Sequence, residues 1–87
     1  MQRRLISIIT AVRNGKEHIE QTMQSVANQD FRDFEHLIID GGSTDGTLDI
    51  IRDYRDHIAY FLSEPDRGIS DAFNKGVLAS RGSVILF

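Results

Sequence analysis

The 87-residue sequence contains no cysteine and no apolar run near the length that crosses a bilayer. The absence of cysteine excludes disulfide bonds and thiolate metal sites, and it fits a reducing compartment. The charged start, Met1–Arg4, precedes an apolar stretch too short for the core of a secretory signal. We therefore expect a location in the cytoplasm or at the cytoplasmic face of a membrane.

Positive charge is also scarce, since 10 Lys and Arg stand against 13 Asp and Glu, for a net charge of -3. Apart from Arg3–Arg4, the basic residues are dispersed, so no patch suggests binding to a phosphate backbone. We expect no nucleic-acid partner. His18, His36 and His57 lie far apart without the spacing of metal ligands, so we expect surface or edge positions for them rather than a metal site.

Four apolar, β-branched segments predict strands that are buried on both faces. They are Leu5–Val12, Phe34–Asp40, Ile58–Ser63 and Ser83–Phe87. Between them, apolar residues recur at helical spacing and predict three helices. The inner faces of these helices are Ile19, Met23, Val26 and Ala27; Leu48, Ile51 and Tyr54; and Ile69, Ala72, Phe73, Gly76 and Val77.

The helix starts carry capping signals. Asn14 lies three residues before Glu17, as in a capping box, and Ser43 or Thr44 is expected to cap the second helix. The resulting order, βαβαβαβ, predicts one α/β domain with a Rossmann-like parallel sheet and right-handed crossovers. The expected strand order is 3-2-1-4, which opens a ligand crevice where the order reverses, between the first and fourth strands.

The end of the second predicted strand is the most informative stretch. In Leu37–Thr47 an apolar run passes into an acidic, glycine-rich turn, and Thr10–Gly15 forms a second strand-end turn. Ligands of open α/β sheets bind at such strand ends, so two of them predict a nucleotide pocket. Asp40 is placed to accept hydrogen bonds from a ligand, or to close an Asx-type turn. Asp45 is expected to cap the second helix or brace the turn.

Five motifs together resemble the amino-terminal part of family 2 inverting glycosyltransferases, which have the GT-A fold. They occur in the order and spacing of that family over nearly the whole chain. The motifs are Ser7–Asn14, Ser25–Gln29, Asp40–Thr47, Ser63–Ile69 and Asp71–Gly76. The resemblance implies transfer of a sugar from a nucleotide diphosphate sugar, with UDP as the expected nucleotide, to an unknown acceptor.

The resemblance assigns seven residues to nucleotide binding and no catalytic residue. They are Thr10, Val12, Arg13, Asp40, Gly41, Gly42 and Arg67. By this resemblance, the first three line one side of the base, and Asp40 accepts a hydrogen bond from it. The two glycines let the backbone come close, and Arg67, or the backbone around Gly68, lies near the nucleotide on the loop after the third strand.

Two departures from the family pattern are visible. Ala11 and Arg13 stand where the family often has proline and an aromatic residue, so a guanidinium group would replace aromatic stacking on the base. The family's Asp-x-Asp metal motif follows the fourth strand, where this sequence ends at Phe87. The complete family enzyme is expected to use a divalent cation, Mg²⁺ or Mn²⁺, whose ligands are not in this chain. Residues 1–87 are thus predicted to be the nucleotide-sugar-binding portion, without the acceptor half.

Two alternative functions differ from sugar transfer in the motifs that they require. A dinucleotide-binding dehydrogenase needs G-x-G-x-x-G after the first strand, and Val12–Glu17 does not match it. A non-catalytic nucleotide-binding or assembly module remains open, because the metal motif is missing. A sheet without its downstream part also leaves surfaces uncovered, and these favour a homo-oligomer.

Overall fold

The apolar segments form one four-stranded sheet in the computed structural model, which describes residues 5–28 and 33–86. The strands are β1 (Ile6–Val12), β2 (Phe34–Asp40), β3 (Tyr60–Ser63) and β4 (Ser83–Leu86). Their order across the sheet is β3-β2-β1-β4, and each adjacent pair is parallel. The predicted α/β class and the predicted order 3-2-1-4 are therefore confirmed.

The connections between strands contain α1 (Lys16–Ala27), α2 (Thr47–Asp53) and α3 (Ile69–Ala79). The third strand starts two residues later than predicted, because Arg55–His57 forms a short 3₁₀ helix before it. The predicted strand end at Phe87 and the motif residue Gln29 lie outside the described residues. Within those residues, no helix has both the length and the apolar character needed to cross a membrane.

Two apolar clusters hold the layers together, one on each face of the sheet. The cluster under α3 contains Ile9, Leu37, Ile39 and Ala72, and the cluster under α1 and α2 contains Ile19, Met23, Ile38 and Ile51. Consecutive residues of β2 thus alternate between the two faces, as the two-residue period of a strand requires. Every β2 residue after Phe34 is buried. A strand buried on both faces is mostly apolar, which is why this segment contains only a few polar side chains.

The inner face of α3 is narrower than the sequence predicts. Ala72 and Gly76 are buried, but Ile69 is 64% exposed and Val77 is 47% exposed. The reason is a close helix–sheet approach, since a Cβ on Gly76 would lie 2.4 Å from Cγ2 of Ile9. Small residues make this contact, so the larger apolar residues at the margins stay outside it.

A polar cluster at the amino ends of the strands fixes the turn into β4. The Ser7 hydroxyl donates to Glu35, and the backbone N–H of Arg81 donates to the same carboxylate oxygen at 2.8 Å. The Gly82 N–H donates to the Ser7 hydroxyl at 2.9 Å. Burial alone would raise the pKa of Glu35, but the hydrogen bonds from Ser7 and Arg81 outweigh it and lower that pKa. The buried carboxylate is thus charged and satisfied, with a structural role.

Candidate functional site

Three strand ends meet at the carboxyl edge of the sheet. Val12 at the end of β1 pairs with Asp40 at the end of β2, and Asp40 pairs with Ser63 at the end of β3. The Gly41 N–H extends this pairing by one residue, donating to the carbonyl of Val12 at 2.8 Å. The two turns that the sequence singles out therefore lie side by side.

Asp40 is the centre of the turn after β2. Its side chain is completely buried and accepts four hydrogen bonds from this chain. The donors are the backbone N–H groups of Gly42 and Ser43, at 2.9 and 2.8 Å, and the hydroxyls of Ser43 and Ser63. Three of these bonds fall on Oδ2 and one on Oδ1, so Oδ1 keeps a second acceptor position. The predicted hydrogen bond from a base to Asp40 stays a prediction.

The predicted helix caps at this edge are wrong. The Asn14 side chain does not cap α1, because its carbonyl oxygen accepts the Thr44 N–H at 2.8 Å from the neighbouring turn. The Asn14 N–H in turn donates to the Ser43 hydroxyl at 2.7 Å. Ser43 and Thr44 do not cap α2 either, since that helix begins at Thr47. Local sequence suggested caps, but these side chains instead tie the two strand-end turns together.

Asp45 takes over the capping of both helices. One of its oxygens accepts the Thr47 N–H at 3.0 Å at the start of α2, and the other accepts the Lys16 N–H at 3.2 Å at the start of α1. The hydrogen bond from the Thr47 hydroxyl is the main cause that lowers the pKa of Asp45. The prediction that Asp45 caps the second helix or braces the turn is confirmed.

A cleft of about 270 Å³ opens between the end of β1 and the loop that leads into α3. Its lining consists of Ala11, Val12, Arg13, Asp66, Gly68, Ile69 and Ala72. Of the seven predicted nucleotide-binding residues, Val12 and Arg13 line this cleft. Gly41 does not line the cleft, but it is adjacent to a residue that does, because a Cβ there would be 2.9 Å from Oδ2 of Asp66.

The remaining predicted residues lie around this cleft. Thr10 is buried, and its hydroxyl lies 2.8 Å from Nε2 of His36. Gly42 has a φ of 90°, which suits glycine, and packs beside Pro65. Arg67 has an exposed side chain, and its backbone N–H donates to Asp71 at 3.0 Å. Thr10 and Arg67 are thus near the site without lining the cleft.

Asp66 is the cleft residue that sequence reasoning missed. It belongs to the Ser63–Ile69 motif, from which the resemblance assigns Arg67 and not Asp66 to the nucleotide. The signal that could have found it is the glycine at position 41, which leaves room at the end of β2 for a side chain from another loop. Sequence alone does not say which loop fills that room.

A divalent cation, as expected for the complete family enzyme, requires a cluster of oxygen or nitrogen ligands. Within residues 5–28 and 33–86, no group of three or more His, Cys, Asp or Glu side chains could hold a metal ion. Asp40 and Asp45, the acidic residues of the turn after β2, are already occupied as hydrogen-bond acceptors. The described residues therefore do not fit a divalent metal ion.

Comparison with known proteins gives consistent matches. Residues 7–87 match the profile described as Glycosyl transferase family 2. The chain is 36% identical over 83 residues to an uncharacterized glycosyltransferase of Mycobacterium tuberculosis, covering 94% of this chain and 32% of the relative. It is 36% identical over 88 residues to TuaG of Bacillus subtilis, named for teichuronic acid biosynthesis, covering 95% of this chain and 34% of TuaG. The chain thus spans about a third of the length of these relatives.

Solved structures match the fold closely. The crystal structure of residues 1–349 of S. aureus TarS superposes with a TM-score of 0.85 at 28% identity, covering 95% of this chain and 26% of that one. The mannosyltransferase PcManGT from Pyrobaculum calidifontis, in complex with GDP-Man and Mn²⁺, gives 0.83 at 25% identity, covering 94% and 26%. The expected GT-A fold is confirmed.

Proposed function

The chain belongs to glycosyl transferase family 2, and from that membership we propose that it carries the donor-binding portion of a sugar-transferring enzyme. The donor is a nucleotide diphosphate sugar, with UDP as the proposed nucleotide. The proposed portion is residues 1–87 of a larger glycosyltransferase domain whose acceptor half lies elsewhere. The observation that carries the proposal is the cleft at the carboxyl edge of a GT-A sheet, where the two strand-end turns meet.

The structural relatives support the nucleotide class. S. aureus TarS was solved in complex with UDP, and its TM-score with this chain is 0.82. PcManGT was solved with GDP-Man and Mn²⁺. These ligands belong to those proteins, and they make uridine and guanosine diphosphates the first two to test here. The divalent cation and the cytoplasmic location expected from the sequence stay predictions.

Each predicted residue has a role in this proposal. Val12 and Arg13 face the nucleotide from the end of β1, and the exposed guanidinium of Arg13 is available to stack on the base. Gly41 and Gly42 allow close approach of the backbone, and Arg67 supplies positive charge beside the cleft. Thr10 and Asp40 are buried and help to hold the ends of β1 and β2, and a hydrogen bond from the base to Asp40 stays part of the proposal.

The names of two relatives support a proposal for the class of acceptor. TuaG is named for teichuronic acid biosynthesis, and a Mycobacterium bovis relative, 36% identical over 86 residues, is named as a PGL/p-HBAD biosynthesis glycosyltransferase. We therefore propose a role in polysaccharide or glycolipid assembly.

Nucleotide titration of the 87-residue chain tests the proposal. UDP is expected to bind weakly, near 1 mM or about -4 kcal/mol, because only the base and ribose contacts lie within the chain. Backbone NMR shifts should concentrate at Val12, Arg13 and Gly41. Mn²⁺ should change the affinity little, since the described residues offer no fitting metal group. Inorganic pyrophosphate at equal concentration is the control for unspecific phosphate binding.

Asp40→Ala is expected to abolish the binding of UDP. The variant removes the acceptor of four hydrogen bonds, so the turn that carries Gly41 and Gly42 loses its anchor. Asp53→Ala, which removes an exposed carboxylate at the end of α2, should bind as the wild type does. A wild-type chain that shows no shifts at the carboxyl edge would favour the non-catalytic assembly module instead.

A further inference from the structure

Asn14 is the one residue other than glycine, among those the structure describes, that has a left-handed backbone, with a φ of 50°. Residues with a side chain rarely adopt this conformation, although asparagine tolerates it better than most. The next residue, Gly15, continues the bend, because a Cβ there would lie 2.7 Å from Cγ2 of Val12. The chain therefore turns sharply at Asn14–Gly15, between the end of β1 and the start of α1.

The turn after β2 holds Asn14 at two points. The Asn14 N–H donates to the Ser43 hydroxyl at 2.7 Å, and the Asn14 side-chain oxygen accepts the Thr44 N–H at 2.8 Å. The Ser43 hydroxyl in turn donates to the buried carboxylate of Asp40. A left-handed backbone costs free energy in a residue with a side chain, so it persists where its surroundings fix it. The two hydrogen bonds of Asn14 supply that constraint.

Arg13 lies between two fixed residues, while its own side chain has no fixed partner. Before it, the Val12 carbonyl accepts the Gly41 N–H at 2.8 Å, and after it, Asn14 is bonded to the neighbouring turn. The Arg13 side chain is exposed and lines the cleft, and it forms no hydrogen bond or ion pair with another described residue. The direction in which this side chain leaves the backbone is therefore set by the turn.

Besides Asn14 and Ser43, one described side chain links the two turns by a hydrogen bond. Asp45 accepts the Lys16 N–H at 3.2 Å, but Lys16 is already the first residue of α1. The Asn14 side chain is therefore the link that lies directly beside Arg13. Without it, the residue after Arg13 would be joined to the turn after β2 through a single backbone N–H.

We propose that Asn14 is a positioning residue, which locks the two strand-end turns together and so holds Arg13 at the cleft before a nucleotide binds. This inference rests on the proposed function, because Asn14 acts on the same site through Arg13. A group that is already in place loses less conformational freedom on binding, so preorganisation raises affinity without adding a contact to the ligand. Asn14 itself touches no ligand.

Two replacements of Asn14 separate the backbone of this residue from its side chain. Asn14→Gly permits the left-handed conformation but removes the oxygen that accepts the Thr44 N–H. Asn14→Asp keeps an acceptor oxygen at the same place. Hydrogen exchange of the Thr44 amide is measured by NMR on the 87-residue chain without ligand. Exchange should be about fivefold faster in Asn14→Gly than in the wild type, as the loss of one hydrogen bond implies, and as slow as in the wild type in Asn14→Asp.

A double-mutant cycle with Arg13→Ala tests whether Asn14 acts through Arg13. NMR titration with UDP compares the wild type, Arg13→Ala, Asn14→Gly and the double variant. Each single replacement should weaken UDP binding about fivefold. The double variant should bind UDP no more than about twofold more weakly than Arg13→Ala alone, because the lock has no further group to hold in place.

Gln21→Ala is the matched control. It truncates an exposed amide side chain on α1, the helix that follows Asn14, without touching either turn. Both the exchange of the Thr44 amide and the affinity for UDP should stay at the wild-type values. A dispersed amide spectrum confirms for each variant that the chain is folded.

The outcomes separate this inference from the proposed function. If Asn14→Gly weakens UDP binding by the same factor with and without Arg13, Asn14 supports the fold in general, so the inference is overturned and the donor site stands. Arg13→Ala binding UDP as tightly as the wild type overturns the inference as well. Equal exchange of the Thr44 amide in the wild type and Asn14→Gly shows that the side chain forms no lock. A wild type that shows no shifts with UDP overturns both proposals.

Discussion

The polar residues of β2 show how far single positions can be interpreted from sequence. The strand end and its acidic turn were predictable, because Asp40 follows an apolar run and precedes two glycines. One hydrogen bond to Asp40 comes from the hydroxyl of Ser63, which lies 23 residues later in the sequence on β3. Local sequence patterns carry no information about such a partner. The same limit explains why the Asn14 cap was wrong and why Asp66 was overlooked.

His36 is a second residue whose surroundings the sequence does not reveal, and the expected surface or edge position is wrong because β2 lies between β3 and β1. It is 2% exposed in the middle of β2, and its Nε2 lies 2.8 Å from the hydroxyl of Thr10. Burial lowers the pKa of His36 from 6.5 to about 4. The ring is therefore neutral in the folded protein at neutral pH. In the unfolded chain the same ring becomes protonated as the pH falls below 6.5.

Stability should consequently fall between pH 6.5 and 4. Because the folded-state pKa is depressed, the contribution of His36 is full above pH 6.5 and is lost as the pH falls through the folded-state value. A difference between about 4 and 6.5 implies a loss of about 2 kcal/mol in the free energy of unfolding by pH 5. Urea unfolding at pH 7.5 and pH 5 measures it.

Two histidine variants test whether the fall in the free energy of unfolding at low pH comes from His36. His36→Gln should unfold with a smaller difference between the two pH values, whatever its stability at pH 7.5. His18→Gln changes an exposed histidine of α1 and should keep the wild-type difference. An unchanged difference in His36→Gln would show that another group causes the loss.

At the scale of elements, apolar periodicity predicted all the strands and helices but not how closely they pack. The bounds of β2 were correct because the whole segment is buried, whereas the start of β3 was wrong because a 3₁₀ helix precedes it. The periodicity of α3 placed Ala72 and Gly76 inward and also placed Ile69 and Val77 there, although these two are exposed. Packing distance decides which residues are covered, and that distance is a tertiary property.

The close packing of α3 on β1 predicts that a glycine-to-alanine change in this helix lowers the free energy of unfolding instead of raising it. Replacing a helical glycine by alanine normally stabilises a protein by up to about 1 kcal/mol. At Gly76 the new methyl group would lie 2.4 Å from Cγ2 of Ile9, which is fully buried and stiff at its branched Cβ. We expect overpacking to prevail, so that Gly76→Ala lowers the free energy of unfolding by about 2 kcal/mol.

Urea unfolding of Gly76→Ala beside Asn74→Ala checks this expectation. Asn74 is an exposed residue of the same helix, so its replacement tests helix propensity without packing. Asn74→Ala should be neutral or stabilising by about 0.5 kcal/mol. Equal stabilisation of both variants would mean that α3 lies farther from the sheet than described.

At the scale of the whole molecule, the sheet has two edges and a set of uncovered apolar side chains. β3 pairs only with β2 among the described strands, and its residues Tyr60 and Phe61 are 39% and 44% exposed. Beside them, Leu48, Ile51 and Ile58 line an apolar groove of about 280 Å³. An open edge flanked by apolar surface favours pairing with another chain.

Self-association through β3 is the expected consequence. Analytical ultracentrifugation of the 87-residue chain should show an average mass that rises with concentration from that of the 9.9 kDa monomer. Phe61→Lys should suppress the rise, because a lysine on an edge strand opposes edge-to-edge pairing. Leu78→Lys makes a similar exchange at a residue of α3 that is 87% exposed, and it should leave the association as it is. Equal suppression by both variants would indicate unspecific apolar contact, and a wild type that stays monomeric at every concentration would contradict the prediction.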